Sequence, residues 1–163
     1  MKFVIIADIH DNLKNLNKCL NWCKREIVDG LICCGDLANS ETLRYLVLNF
    51  KNDIFLVRGN LEIYDKIEVN LYDNINYLGK YGVVRLDGKK IGICHEPVFI
   101  DKIIEQGNCQ LIFYGHTHKP WIDKRDNITI VNPGTLGGVF TKATFAVWQT
   151  ETNNLELKIL ELI

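Results

Sequence analysis

No apolar run in this chain approaches the length of a bilayer span. The first, Phe3 to Ala7, is five residues, whereas a span needs about 20 and a signal-peptide core at least ~7. A cytoplasmic protein that stays off membranes is the expectation. A basic surplus is missing too: 19 Lys and Arg face 20 Asp and Glu, for a net charge of −1. General nucleic-acid or membrane-surface binding, which rests on excess cationic charge, is therefore not expected, although a local positive site is. Six cysteines are present, but none form a Cys-x-x-Cys pair, so a thiolate zinc site is not indicated. Cys33, Cys34 and Cys94 fall within apolar strand-like runs, and Cys19 and Cys23 within a helical pattern. They read as buried, reduced small hydrophobes. Repeats, linkers and low-complexity stretches are absent, and a length of 163 residues suits one domain spanning 1–163.

What remains is an ordinary globular composition, 47% hydrophobic and 24% charged, with informative order. Lys2 to Ala7 reads as a strand. Asp11 is placed to cap a helix whose apolar residues recur at Leu13, Leu16, Leu20, Cys23 and Ile27. Leu31 to Cys34 is a second strand, a helix capped by Ser40 runs to about Asn49, and Asp53 to Val57 is a third strand. Near-continuous apolar strands alternating with helices signal a parallel sheet covered on both faces. Leu61 to Asn74 reads as a polar connection or short helix. Beyond it, Tyr81–Leu86 and Lys89–Cys94 flank Asp87-Gly88 as a β-hairpin. Val98 to Gln106 is helical in pattern and Gln110 to Tyr114 is a strand. Two further hairpins are predicted around Lys124–Asn127 and Glu151–Asn154. The architecture expected is an α/β fold, a four-layer α/β/β/α sandwich of two mixed sheets flanked by helices.

Histidine is scarce, with only four in the chain, and each follows an apolar run. Strand-like segments end in Asp8 and His10, then Asp36, Asn60, His95, and finally His116 and His118. Glycine introduces three of these positions, in Gly35-Asp36, Gly59-Asn60 and Gly115-His116, where it permits a sharp exit from the sheet and close backbone approach. Ligands of parallel sheets bind beyond the carboxyl ends of the strands. Each piece alone is a common turn or a hydrogen-bonded histidine. Together they predict seven side chains converging on one metal site.

The motifs ADIHDN (7–12), GD (35–36), RGN (58–60), CHE (94–96), YGHTH (114–118) and NPGT (132–135), in that order, resemble those of the calcineurin-like metallophosphoesterases, and in particular the small bacterial and archaeal phosphodiesterases. The resemblance runs over essentially the whole chain and implies the same four-layer fold. It implies two divalent metal ions: Asp8, His10 and His118 would hold one, Asn60, His95 and His116 the other, and Asp36 would bridge them. Manganese, iron, nickel and zinc all suit mixed imidazole, carboxylate and amide ligands. The implied activity is metal-dependent hydrolysis of a small phosphoester, most simply a diester, by in-line attack of hydroxide generated between the ions. Asp36, Asn60 and His95 would be the catalytic residues. Asn12, Arg58 and Glu62 would stand on the substrate side, Glu62 behind the ligands. Asn12 has a second reading as a residue bonding backbone in the first helical turn. Relatives of this size also imply a possible homodimer.

Two positions depart from the family pattern. Leu61 stands where larger relatives carry a histidine thought to protonate the leaving group, and Glu96 where glycine commonly follows the metal-binding histidine. The rival functions are a protein-binding scaffold like the related retromer subunit, and a phosphomonoesterase or pyrophosphatase. The NPGT turn is expected to be scaffolding that holds the histidine loop.

Overall fold

The computed structural model describes all 163 residues, Met1–Ile163. In chain order the strands are β1 (Lys2–Ile6), β2 (Gly30–Cys33), β3 (Ile54–Leu56), β4 (Ile75–Tyr77), β5 (Tyr81–Leu86), β6 (Lys89–Cys94), β7 (Leu111–Phe113), β8 (Trp121–Arg125), β9 (Ile128–Asn132), β10 (Thr144–Gln149) and β11 (Asn154–Ile159). The α-helices are α1 (Leu13–Arg25), α2 (Ser40–Asn49), α3 (Lys66–Val69) and α4 (Ile100–Glu105). One sheet has the order β11-β10-β1-β2-β3-β4 and the other β5-β6-β7-β9-β8. In the first, β1 to β4 run parallel, and β10 and β11 are antiparallel additions. In the second, β6, β7 and β9 are parallel and the two edge strands antiparallel.

Alternation along the strands sorts the core into layers. Val4, Ile6, Leu31 and Cys33 face α1 and α2, joining Leu16, Leu20, Leu43 and Leu46. Their neighbours Phe3, Ile5, Ala7, Ile32 and Cys34 face inward and meet Ile91, Ile93, Phe113 and Val131 of the second sheet. The far side of that sheet packs Cys94, Ile112 and Ile130 against Ile100 and Ile103 of α4. The α/β/β/α layering expected from the sequence is the observed one. All six cysteines are free and buried. No helix is long and apolar enough to cross a membrane.

Several local expectations are corrected. α1 is capped by Asn12 rather than Asp11: the Asn12 Oδ1 accepts the Asn15 N–H at 3.1 Å. Asp11 has a left-handed backbone, φ 59°, and its carboxylate accepts the Thr42 hydroxyl at 2.6 Å and the Asn39 N–H at 3.1 Å. α2 is capped by Asn39, not Ser40, through the Thr42 N–H at 2.9 Å. α1 also stops before Ile27, which is left-handed at φ 53°. The β8–β9 hairpin turns on Asp126 and Asn127 alone, because Lys124 and Arg125 stay paired with Thr129 and Ile128. β4 was not foreseen; its three residues complete the first sheet only by pairing with β3, a long-range contact that leaves no strong local pattern.

Candidate metal centre

Strands β1, β2, β3, β6 and β7 release their chains at one edge of the sandwich, and the following loops gather all seven predicted side chains. His10 Nε2 lies 3.1 Å from His118 Nε2. Asp8 Oδ1 is 3.4 Å from His118 Nε2 and 3.9 Å from His10 Nε2. Asp36 Oδ2 is 3.4 Å from His95 Nε2 and 4.0 Å from His10 Nε2, so it reaches toward both halves of the cluster. Asn60 Oδ1 sits 2.9 Å from both His95 Nε2 and His116 Nδ1. Donor atoms of Asp8, His10 and His118 lie within 4.8 Å of one another, as do those of Asp8, Asp36 and His95. Asp8 therefore neighbours both halves as well.

The backbone is bent to achieve this. Of thirteen non-glycine residues with positive φ, five belong to the cluster: Asp8 (53°), His10 (46°), Asp36 (55°), His116 (70°) and His118 (58°). A left-handed L-residue costs about 1–2 kcal/mol, and such strain collects at functional sites, where the surrounding fold over-determines it. Here hydrogen bonds between loops hold it. The Asp36 carbonyl accepts the N–H groups of Ile9 and His10 at 2.9 and 3.0 Å, and the Asp8 N–H donates to the Gly35 carbonyl at 3.0 Å. The His116 N–H donates to Asp8 Oδ2 at 3.0 Å.

Burial dominates the electrostatics. Asp8 is fully buried, and desolvation pushes its carboxyl up to about 7. Asp36 feels the same upward pull, but hydrogen bonds from His95 and the Leu61 N–H outweigh it and hold the group below its ordinary value. Desolvation pulls His95 down, whereas its bond to Asp36 and the two nearby carboxylates carry it above the usual imidazole value. Desolvation, then the charge on His10, lowers His118.

The donor set fits divalent cations. His95 Nδ1 contacts the Cys34 carbonyl at 2.7 Å; as that oxygen can only accept, Nδ1 carries the proton. Nε2 then points at the Asn60 and Asp36 oxygens, carrying a proton in the metal-free ring and offering its lone pair once that proton is given up. Such a gathering of oxygens and ring nitrogens is satisfied by positive charge among them, either a proton on the ring or a bound cation. Imidazole, carboxylate and amide donors in that arrangement suit borderline divalent ions.

A model of the calcineurin-like phosphoesterase superfamily domain matches residues 1–153. The chain belongs to that superfamily. It is 27% identical to phosphodiesterase MJ0936 of Methanocaldococcus jannaschii over 99% of this chain and 100% of that protein. A solved archaeal phosphodiesterase superposes with a TM-score of 0.87 at 24% identity, covering 98% of this chain and 99% of the other. YfcE, a phosphoesterase from E. coli, gives 0.71 at 19% identity over 98% and 100% of the two chains. The zinc complex of Vps29 from Entamoeba histolytica also gives 0.71, at 15% identity over 98% and 99%. At these identities the structural likenesses establish the shared fold.

In this calcineurin-like domain the three residues assigned to the substrate side have distinct surroundings. The Asn12 side chain is consumed as the α1 cap and by donation to the Gly137 carbonyl at 2.8 Å, the second of its two sequence readings. The Arg58 side chain lines a separate depression with Lys66, Tyr77 and Lys80. Glu62 is buried, 9% exposed, and its carboxylate accepts the N–H groups of Leu37 (3.3 Å), Ala38 (3.1 Å) and Gly59 (3.3 Å). It thus ties the Asp36 loop to the Asn60 loop, and burial raises its carboxyl above the ordinary range.

The NPGT turn, expected from the sequence to hold the histidine loop, does so through its side chains. Asn132 Nδ2 donates to the Gly115 carbonyl at 2.9 Å and to Thr117 Oγ1 at 3.0 Å, while its Oδ1 accepts the Gly134 N–H at 2.8 Å. Thr135 Oγ1 donates to the Asp8 carbonyl at 2.8 Å. The NPGT turn thereby holds both the histidine loop and the first aspartate. Gly59 serves close approach: a Cβ there would collide with the Asp36 carboxylate and backbone N.

Proposed function

We propose that this chain is a phosphodiesterase working with two divalent metal ions. The observation that carries the reading is Asp36, whose one carboxylate faces His10 on one side and His95 on the other. This supports two donor groups around a shared ligand, Asp8, His10 and His118 in one and Asn60, His95 and His116 in the other, although Asp8 also lies beside Asp36 and His95. Divalent ions held there supply Lewis acidity toward a phosphoryl oxygen and lower the pKa of water. Manganese, iron, nickel and zinc are the ions this donor set suits.

The protein's own contribution is charge balance and orientation. Asp8 and Asp36 bring two negative charges against the four of two divalent ions, and the surplus attracts a phosphoester anion. Asn60, a neutral donor, leaves that surplus intact. Asn60 and His116 are solvent-exposed, so substrate approaches over them, while buried Asp8, Asp36 and His95 anchor the floor. The Cys34 carbonyl fixes the His95 tautomer and ring direction, as second partners of ligating histidines do. Leu61 beside Asn60 is 53% exposed and has no proton to give, so esters with stable leaving groups, such as aryl or nucleotide esters, are favoured. The name of the Methanocaldococcus jannaschii relative supports the choice of diesters over monoesters.

The test is hydrolysis of bis-p-nitrophenyl phosphate by chelator-treated protein refilled with manganese, iron, nickel or zinc, alongside elemental analysis. Two ions per chain and metal-dependent turnover are expected. A second reading, a metal-holding scaffold without turnover, is favoured by Leu61 and by the Vps29 neighbour. Two bound ions with no hydrolysis under any of the four metals would establish it instead.

A further inference from the structure

β3 and β4 are parallel, so Arg58-Gly59-Asn60 and Leu78-Gly79-Lys80 leave the sheet at the same edge. The Arg58 N–H donates to the Gly79 carbonyl at 2.7 Å and pins the two exits together. Between them lies a depression of about 460 Å³ lined by Arg58, Lys66, Tyr77, Leu78, Gly79 and Lys80. Three of its six lining residues are cationic and none is acidic. The chain's Lys and Arg ion pairs lie elsewhere, on Lys2, Arg125, Lys142 and Lys158. In a molecule of net charge −1, three cations line one hollow whose lining holds no carboxylate, with only buried Glu62 behind Tyr77, and form a local positive field. Desolvation raises the Tyr77 phenol despite the opposing Arg58 charge, so it keeps its proton as a donor. The space above Gly79 is open.

We infer that this depression is a phosphoryl-binding pocket and that it receives a second phosphate of the substrate, away from the bond that breaks. Arginine offers a planar fork matched to phosphate oxygens, and the two lysines add mobile point charges. Arg58 and Asn60 are two residues apart, so their Cα atoms lie no more than about 7 Å from each other. On that separation a phosphoester about one nucleotide long would reach from the metal centre into the pocket. The inference deepens the phosphodiesterase reading and rests on it for the source of the phosphate; the pocket's chemistry stands on its own lining.

Thymidine 5′-(p-nitrophenyl phosphate) and its 3′-phosphorylated counterpart share one scissile bond and differ only in the second phosphate. The chain is expected to favour the 3′-phosphorylated ester at least tenfold in kcat/KM, through KM, and the double substitution Lys66→Gln/Lys80→Gln to abolish that preference. Calorimetry of inorganic phosphate into chelator-treated protein reads the pocket without turnover, with binding to the parent chain and loss in the double variant. Equal turnover of both esters, with phosphate binding that the variant loses, assigns the pocket to free phosphate rather than to substrate. Absence of both phosphate binding and ester preference overturns the inference. If neither ester is cleaved with any metal while phosphate still binds, the esterase reading falls and the pocket remains.

Discussion

Gly59→Ala isolates the close packing that sets the ligand geometry. The Gly59 backbone is outside the left-handed region, so alanine meets no conformational penalty there; the conflict is steric. The added methyl would overlap Asp36 Oδ1 and N and stand 2.7 Å from Asp36 Cγ, against ordinary contacts of about 3.5 Å or more. Asp36 has little room to yield. Its carbonyl holds Ile9 and His10, its carboxylate accepts the Leu61 N–H at 2.9 Å, and His95 is 3.4 Å away. Relief therefore requires the two loops to separate by on the order of 1 Å. Overpacking of this kind costs about 1–3 kcal/mol, a fall in Tm of roughly 2–4 °C for each kcal/mol in a domain this size. Disturbing the orientation of metal ligands lowers affinity about 10–100-fold, and a shift near 1 Å lowers turnover about 100-fold. Metal titration calorimetry and urea unfolding of the same preparation separate the two effects. Gly107→Ala is the control: Gly107 is left-handed at φ 76° with nothing near its Cβ position, so it should lose about 1–2 kcal/mol and keep its metal affinity. Parental metal affinity in Gly59→Ala, or an equal loss in Gly107→Ala, would refute the reasoning.

The metal-free chain should lose stability as pH rises, because Asp8, Glu62 and His95 are all raised in the folded state. A raised group stabilises below its ordinary value and loses that contribution as pH climbs through the folded one. For Asp8 the window runs from 3.8 to about 7 and is worth up to about 4 kcal/mol. Lowered Asp36 acts below this window, and lowered His118 opposes the trend only near its ordinary 6.5. Urea midpoints of chelator-treated protein at pH 4.5, 5.5 and 7 should decline, and a rise across that range would count against the burial argument. Metal-loaded protein should follow the opposite slope, with occupancy failing below about pH 6 because protonated ligands release the ions. Asn132→Ala removes the bonds to Gly115 and Thr117 and should cost about 1–3 kcal/mol and weaken metal binding; unchanged calorimetry would show that the histidine loop holds itself. Leu61→His should accelerate esters with poor leaving groups about 100-fold or more and flatten the dependence of rate on leaving-group pKa across substituted phenyl diesters; an unchanged slope would mean that position 61 does not reach the departing oxygen.

The ligand set was legible in the sequence because it is local: each donor stands at the end of an apolar run, and all four histidines share that placement. The layers were legible too, since period-2 burial and helical spacing are written residue by residue. Cap identity was not, because Asp11 and Asn12 are both capable and what separates them is that Asp11 accepts from the Thr42 hydroxyl and the Asn39 N–H at the start of another helix. The same holds for Glu62 and Arg58. In the chain they flank Asn60 alike, yet folding turns one inward to clamp two loops and the other outward into a cationic hollow. Sequence by itself determined which chemistry was available and in what order the strands would deliver it. Tertiary structure alone decided which polar groups face the metals and which brace them, because that choice depends on hydrogen bonds between loops that lie far apart in the chain.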